Sequence, residues 1–342
     1  MVKQSSIFRA IVGLFFSALI ITSCAAPNTS SESSFNAEFG STVKFGTYPQ
    51  SKVTDSALLT SLNSASGTLP TSANSQAWTS YGYYISSSSA TSYMWYIDLT
   101  NSNIGEEYRG VYFTSYRPDY TAGTSSTANS YQRDNGYSTS NVYWFKYELI
   151  TWRVLDVQAG KALLMADLVL DSQDYHYSLA DRTIGGSTVY PNNYKESHIR
   201  SWLNDSFYNT AFSTEEKARI QTTTIDNSVA STGYSSNPYA CANTIDKVFL
   251  LSYAEATSAT YGLSTTTARQ LAPSAYAKAQ GVSVNSYNGF SAWWLRSPYD
   301  SGSYGALGVD DYGDVYSDGY VNLNNLVYLT FNGVVPALWI SL

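Results

Sequence analysis

An α+β fold of mixed short strands with two or more helices is predicted by three local features of this sequence. Residues 147–155 (YELITWRVL) alternate apolar and polar side chains, and Ala159-Gly160 separates them from a second apolar run at 162–170, the pattern of a β-hairpin. Ile199, Trp202, Leu203 and Phe207 recur at i, i+3, i+4 and i+8, one apolar face at helical spacing. Ser213-Thr214-Glu215-Glu216 places a capping hydroxyl three residues before a carboxylate, the capping box of a second short helix.

The other elements follow in chain order. Residues 45–50 (FGTYPQ) read as a strand closed by a proline turn. Much of 86–141 is Ser, Thr, Tyr and Gly, which reads as loops between short strands, with regular order beginning at 147. Residues 248–251 (VFLL) read as a buried strand and 252–259 as a helix. Residues 265–280 read as an Ala-rich helix broken at Pro273. Towards the end, Gly313-Asp-Val-Tyr316 and Gly319-Tyr-Val-Asn322 read as successive short strands with glycine turns.

The N-terminus is an export signal. Lys3 and Arg9 are basic, and residues 10–21 (AIVGLFFSALII) form an apolar run too short to span a membrane. The run ends in Ile21-Thr22-Ser23-Cys24, which resembles the bacterial lipobox, in which the cysteine is diacylated and becomes the new N-terminus. Two acyl chains make a stable anchor. The expected organisation is a signal peptide at 1–23, a flexible polar linker at 24–36 and a globular domain at 37–342. Export and lipid anchoring through Cys24 follow, with the membrane contacted through the anchor alone.

Composition narrows the function classes. The mature chain keeps one further cysteine, Cys241, so no internal disulfide forms, and a lone cysteine of this kind is expected to be buried and inert. The core must rest on aromatic packing, for which 31 Tyr, 13 Phe and 8 Trp are ample. Net charge is −7 and no basic stripe is present, which argues against a nucleic-acid partner.

Five segments in order carry a family resemblance: FGTYPQ (45–50), WRVL (152–155), SWLN (201–204), WWLRSP (293–298) and GVVPALWI (333–340). They resemble C-type-lectin-fold proteins of the formylglycine-generating-enzyme branch, and within it the variable proteins of diversity-generating retroelements, of the Treponema variable lipoprotein type. Val335 departs from the Arg that such proteins carry before the Pro. The resemblance implies a C-type lectin fold with its first and last strands paired, a variable-type C-terminal region at 293–342, and surface display at a bacterial outer membrane. It also implies that adenine-directed rewriting of Asn codons diversifies part of that region, yielding Tyr, Asp, Ser, Asn and Gly but never Lys, Glu, Gln, Met or Trp. Residues 299–330 contain none of those five.

On this reading Trp293, Trp294, Leu295, Pro336, Leu338 and Trp339 form the supporting core. Val309, Val315, Val321 and Val327, spaced by six, point inward, with Gly313 and Gly319 at turns. The outward, ligand-binding residues are Tyr299, Asp300, Tyr304, Asp310, Asp311, Tyr312 and Asp314, continuing with Tyr316, Ser317, Asp318, Tyr320, Asn322, Asn324 and Asn325. Tyrosine gives rigid contact area, and Ser, Gly and Asn give adaptable hydrogen bonding, as in antibody paratopes. Five aspartates and no basic residue make the segment acidic, which favours a basic or polar partner surface.

Catalytic and metal readings are weaker. Enzymes of the branch need a reactive cysteine pair, and here only Cys241 is left in the mature domain. His176 and His198 have no accompanying G-x-S-x-G motif and read as structural. A calcium loop starting at Asp314 meets Tyr316 where an oxygen donor belongs and Asn325 at position twelve, so no metal and no cofactor are expected. The expected function is non-catalytic binding, by a monomer, of a protein or glycan ligand on another cell or host surface. The alternatives are an adhesin of fixed carbohydrate specificity or an extracytoplasmic enzyme of the same fold.

Overall fold

The described chain enters its first strand at Thr42–Lys52 (β1), which buries Phe45 and Tyr48 and exposes both ends. The structure, a computed structural model, describes residues 37–81, 93–101, 105–117, 130–315 and 326–342. All of these belong to one unit, Asn36–Leu342; the leader, Cys24 and the linker lie outside the described residues. Pro49 does not close β1. It sits opposite Tyr147, and the register shifts between Pro49 and Lys52, so the missing N–H falls at an irregularity the strand passes through.

Asp55 caps the helix Ser56–Ala65 (α1) by accepting from Leu58 N at 2.7 Å, and Leu62 packs on Val53, Tyr108 and Trp144. Thr79–Ser80 (β2) comes next, and the stretch expected to be mostly loops contains two eight-residue strands, Met94–Asn101 (β3) and Glu106–Phe113 (β4), paired throughout. Fully buried Met94, Trp95 and Phe113 drive this pairing, which the surrounding Ser and Thr obscure in the sequence. After Tyr131–Asp134 (α2), the strand predicted from 147 starts earlier, as Val142–Gln158 (β5). It turns through Ala159 and Gly160, at φ 49° and 75°, into Lys161–Ala166 (β6), giving the predicted hairpin. The return strand stops at Ala166; Asp171–Ser172 (β7) joins a different sheet.

A small hairpin, Arg182–Ile184 (β8) with Ser187–Val189 (β9), precedes the predicted helix. That helix consists of His198–Trp202 (α3), a π turn at Leu203–Phe207 and Tyr208–Ala211 (α4), with Ile199, Leu203 and Phe207 fully buried as the spacing predicts. The capping box of Thr214–Arg219 (α5) is reciprocal: Glu216 N donates to Ser213 Oγ at 3.2 Å, and Ser213 N donates to the Glu216 carboxylate at 2.9 Å. Ile220–Gln221 (β10) and the hairpin Thr223–Ile225 (β11) with Thr244–Asp246 (β12) come next. Residues 248–251 are buried as expected but do not form a strand; Phe249 makes an isolated bridge to Ala337. Tyr253–Ala256 (α6), Thr266–Arg269 (α7) and Ala275–Gln280 (α8) follow, the last two separated at Pro273. The described chain ends in Trp293–Pro298 (β13), Ala306–Val309 (β14), Gly333–Val334 (β15) and Ala337–Ser341 (β16).

The main sheet runs β10-β16-β6-β5-β4-β3-β2, with β1 also on β5, and the second runs β14-β13-β15-β7. Most pairings are antiparallel; β13 and β15 meet in parallel at Trp293 and Gly333. The protein is therefore α+β, as predicted. The first and last strands, expected to pair, do not: β1 pairs with β5 from Phe145 to Arg153, while β16 pairs with β6 and β10. The 17-residue length of β5 explains this, since it gives β1 a partner of its own while the β6 return strand offers an edge to β16. Trp339 also departs from its expected core role. It is half-buried, because strand alternation sets it with Ser341 on the face opposite Leu338 and Ile340.

Candidate functional site

The C-terminal segment stands on a buried platform. All six residues of β13 are buried, and both indoles are anchored: Trp293 Nε1 donates to Arg269 O at 3.1 Å, and Trp294 Nε1 to Gln173 O at 2.9 Å. Arg296 is also buried and forks against the Glu255 carboxylate, with a further bond to Leu250 O at 2.8 Å. Burial opposes ionisation of Glu255, but the Arg296 charge outweighs it and holds that carboxyl below its ordinary value.

Above this platform the segment's backbone is gripped from outside. The Asn192 carboxamide donates to the carbonyls of Tyr299 at 3.4 Å, Gly302 at 3.1 Å and Gly305 at 2.9 Å. Asn237 holds Pro298 O at 2.9 Å, Asn288 holds Asp311 O at 2.9 Å and Gln270 holds Tyr312 O at 3.1 Å. Arg269 Nε donates to Gly313 O at 2.7 Å. Gly313 has φ +85°, and a Cβ there would lie 2.1 Å from Thr266 O, so this turn admits only glycine.

The candidate residues lie where this leaves room. Tyr304, Tyr312 and Asp314 are exposed, and Tyr299, Asp300, Asp310 and Asp311 are half-buried; none of these seven is buried. Val309 and Val327 point inward as expected, whereas Val315 is half-buried. Tyr316, Ser317, Asp318, Tyr320, Val321, Asn322, Asn324 and Asn325 lie outside the described residues, as does Gly319. Some carboxylates serve the turn itself: Asp310 Oδ1 accepts from Tyr312 N at 3.0 Å and Asp314 N at 2.7 Å, and Asp311 accepts from Asn285.

Sequence reasoning missed a second feature, a cavity of about 570 Å³. Its wall includes His198, Trp202, Ser206 and Thr210, spaced by four along α3, the π turn and α4. That spacing was a readable signal. His198, read from sequence as structural, places Nδ1 3.2 Å from both oxygens of buried Asp174. Burial disfavours its protonation, but the Asp174 carboxylate prevails and raises the His198 pKa above the usual histidine value. His176, in contrast, is buried with neither ring nitrogen hydrogen-bonded among the described residues; burial, then the Arg182 charge, lower its pKa to about 4.

Cys241 is half-buried rather than buried, and burial raises its thiol pKa, which keeps it protonated and a poor nucleophile. Among the described residues no group of three or more His, Cys, Asp or Glu is placed to hold a metal ion, and no helix is long and apolar enough to cross a membrane.

Fold and site together define an α+β domain whose partly exposed C-terminal segment is held through its backbone. Residues 159–342, more than half of the chain, match the family model described as a domain of unknown function, DUF6273, and the protein belongs to that family. No curated protein and no solved structure matches the chain.

Proposed function

We propose that this protein is a non-catalytic, surface-displayed lipoprotein that binds protein or glycan ligands through a diversified C-terminal face. In this reading the α+β architecture is a variant of the C-type lectin fold, Cys24 carries the lipid, and the domain acts as a monomer. The observation that carries the reading is the grip on the segment's backbone. Asn192, Asn237, Arg269, Gln270 and Asn288 bind main-chain carbonyls of 298–313, and those carbonyls persist whatever side chain the codon specifies. Such an arrangement separates the shape of the segment from its side-chain identity, which is what a diversified recognition surface requires.

Two experiments test it. The gene neighbourhood should contain a reverse transcriptase and a near-copy of the 299–330 coding segment differing only at adenines; absence of such a template removes the diversification claim. In cells, Cys24→Ala should abolish incorporation of labelled palmitate and release the protein from the membrane fraction. Retention of the label would contradict the anchor.

A further inference from the structure

We infer that the 570 Å³ cavity between β1, β3, β4, α3, α4 and α8 is a binding site for a neutral saccharide, separate from the C-terminal face. Its volume falls within the range of about 300–1,000 Å³ usual for ligand pockets. The side chains of the wall define the chemistry.

The charged groups come first. Arg109 is committed to Asp98 in a bidentate pair, with Nε to Oδ1 at 2.8 Å and Nη2 to Oδ2 at 2.7 Å. The guanidinium also stacks on Tyr96, 4.3 Å from the ring centroid, so the aromatic site that would cage an ammonium ligand already holds a cation. Asp174 is paired with His198. Asp171 accepts from Tyr48 Oη at 2.5 Å, Ser172 N at 2.7 Å and Gln173 Nε2 at 3.1 Å. An anionic ligand would enter without a free cation among the described residues to meet it, and burying an unpaired charge is costly.

The remaining lining suits a neutral polyol. Trp202 and Tyr177 present aromatic surface for a sugar ring, with Tyr177 54% exposed at the rim. Ser206 and Thr210 supply hydroxyls from the same helical face. Asp174 spends its two oxygens on one histidine nitrogen, and a carboxylate has about four lone-pair sites, so it retains acceptor capacity for ligand hydroxyls. Tyr96 and Arg109 precede the family match, so the site joins the two parts of the chain.

The test applies the full chain, in detergent, to a glycan array, followed by calorimetry with the saccharide that the array retains. Tyr177→Ala and Thr210→Val should each weaken binding tenfold or more, and Trp202→Ala more still, while Tyr304→Ala and Tyr312→Ala leave it unchanged. Tyr177→Ala keeps the test sound if Trp202→Ala fails to fold, because Tyr177 is exposed. No retained saccharide, or binding indifferent to the cavity variants, overturns the assignment. Binding lost in Tyr304→Ala or Tyr312→Ala overturns it as well, but supports recognition by the C-terminal face; the two readings thus fail separately.

Discussion

The Asn192 side chain donates to Gly305 O at 2.9 Å, although 113 positions separate the two residues. Asn192 is fully buried, and the same amide nitrogen reaches Gly302 and Tyr299. One side chain therefore sets the path of the loop that carries Asp300 and Tyr304.

Asn192→Ala should destabilise the protein by about 1–3 kcal/mol, because it removes a buried amide that bridges the carbonyls of Tyr299, Gly302 and Gly305. Tyr304→Ala and Tyr312→Ala should stay within about 0.5 kcal/mol of the wild type, as exposed positions do. Urea unfolding of the three variants provides the comparison; equal losses in all three would mean that the segment is held by its side chains.

Trp294→Ala should cost about 3–5 kcal/mol, since it opens a cavity beneath the segment and removes the indole's bond to the Gln173 carbonyl. A loss below 1 kcal/mol in the same assay would show that β13 is not the platform.

The Arg296–Glu255 pair makes stability depend on acid. The Glu255 carboxyl titrates below its unfolded value of about 4.3, so its contribution is complete above that pH and is lost as pH falls through the folded value. Glu255→Ala should cost about 3–5 kcal/mol at neutral pH by leaving Arg296 buried and unpaired. Its unfolding midpoint should also change less between pH 6 and pH 3 than that of the wild type.

The two histidines should act in opposite directions. His176 titrates at about 4 when folded, below the unfolded value of about 6.5, so its contribution is complete above 6.5 and declines as pH falls. His198 titrates above the unfolded value, so its contribution is complete below about 6.5 and is lost as pH rises through the folded value. In a pH series of unfolding midpoints, His176→Leu should flatten the acid limb and His198→Leu the neutral-to-alkaline limb.

What the sequence revealed was local. The Ser213–Glu216 capping box, the Ala159–Gly160 turn and the Ile199–Phe207 face each depend on residues within a few positions of one another, and each is present. The β3–β4 ladder was hidden because its register depends on cross-strand contacts of Met94 and Trp95, set among Ser- and Thr-rich flanks. The partner of β1 was misassigned because edge choice is decided by the length of β5, not by β1 itself. At the C-terminal segment, the six-residue spacing placed Val309 and Val327 inward but not Val315, and the grip by Asn192 and Arg269 is a long-range fact that no spacing encodes. Of the cavity only the His198–Thr210 face was legible, for the same reason: Tyr48, Arg109, Asp174 and Tyr276 join it only after folding.

A saturation library over residues 299–314, sorted for folded full-length chain, tests the backbone-grip claim most directly. Tyr299, Asp300, Tyr304, Tyr312 and Asp314 should accept nearly every substitution, while Gly313 accepts none and substitutions at Asn192 and Arg269, added as controls, are depleted. Depletion at Tyr304 and Tyr312 equal to that at Gly313 would contradict a face free to vary on a fixed frame.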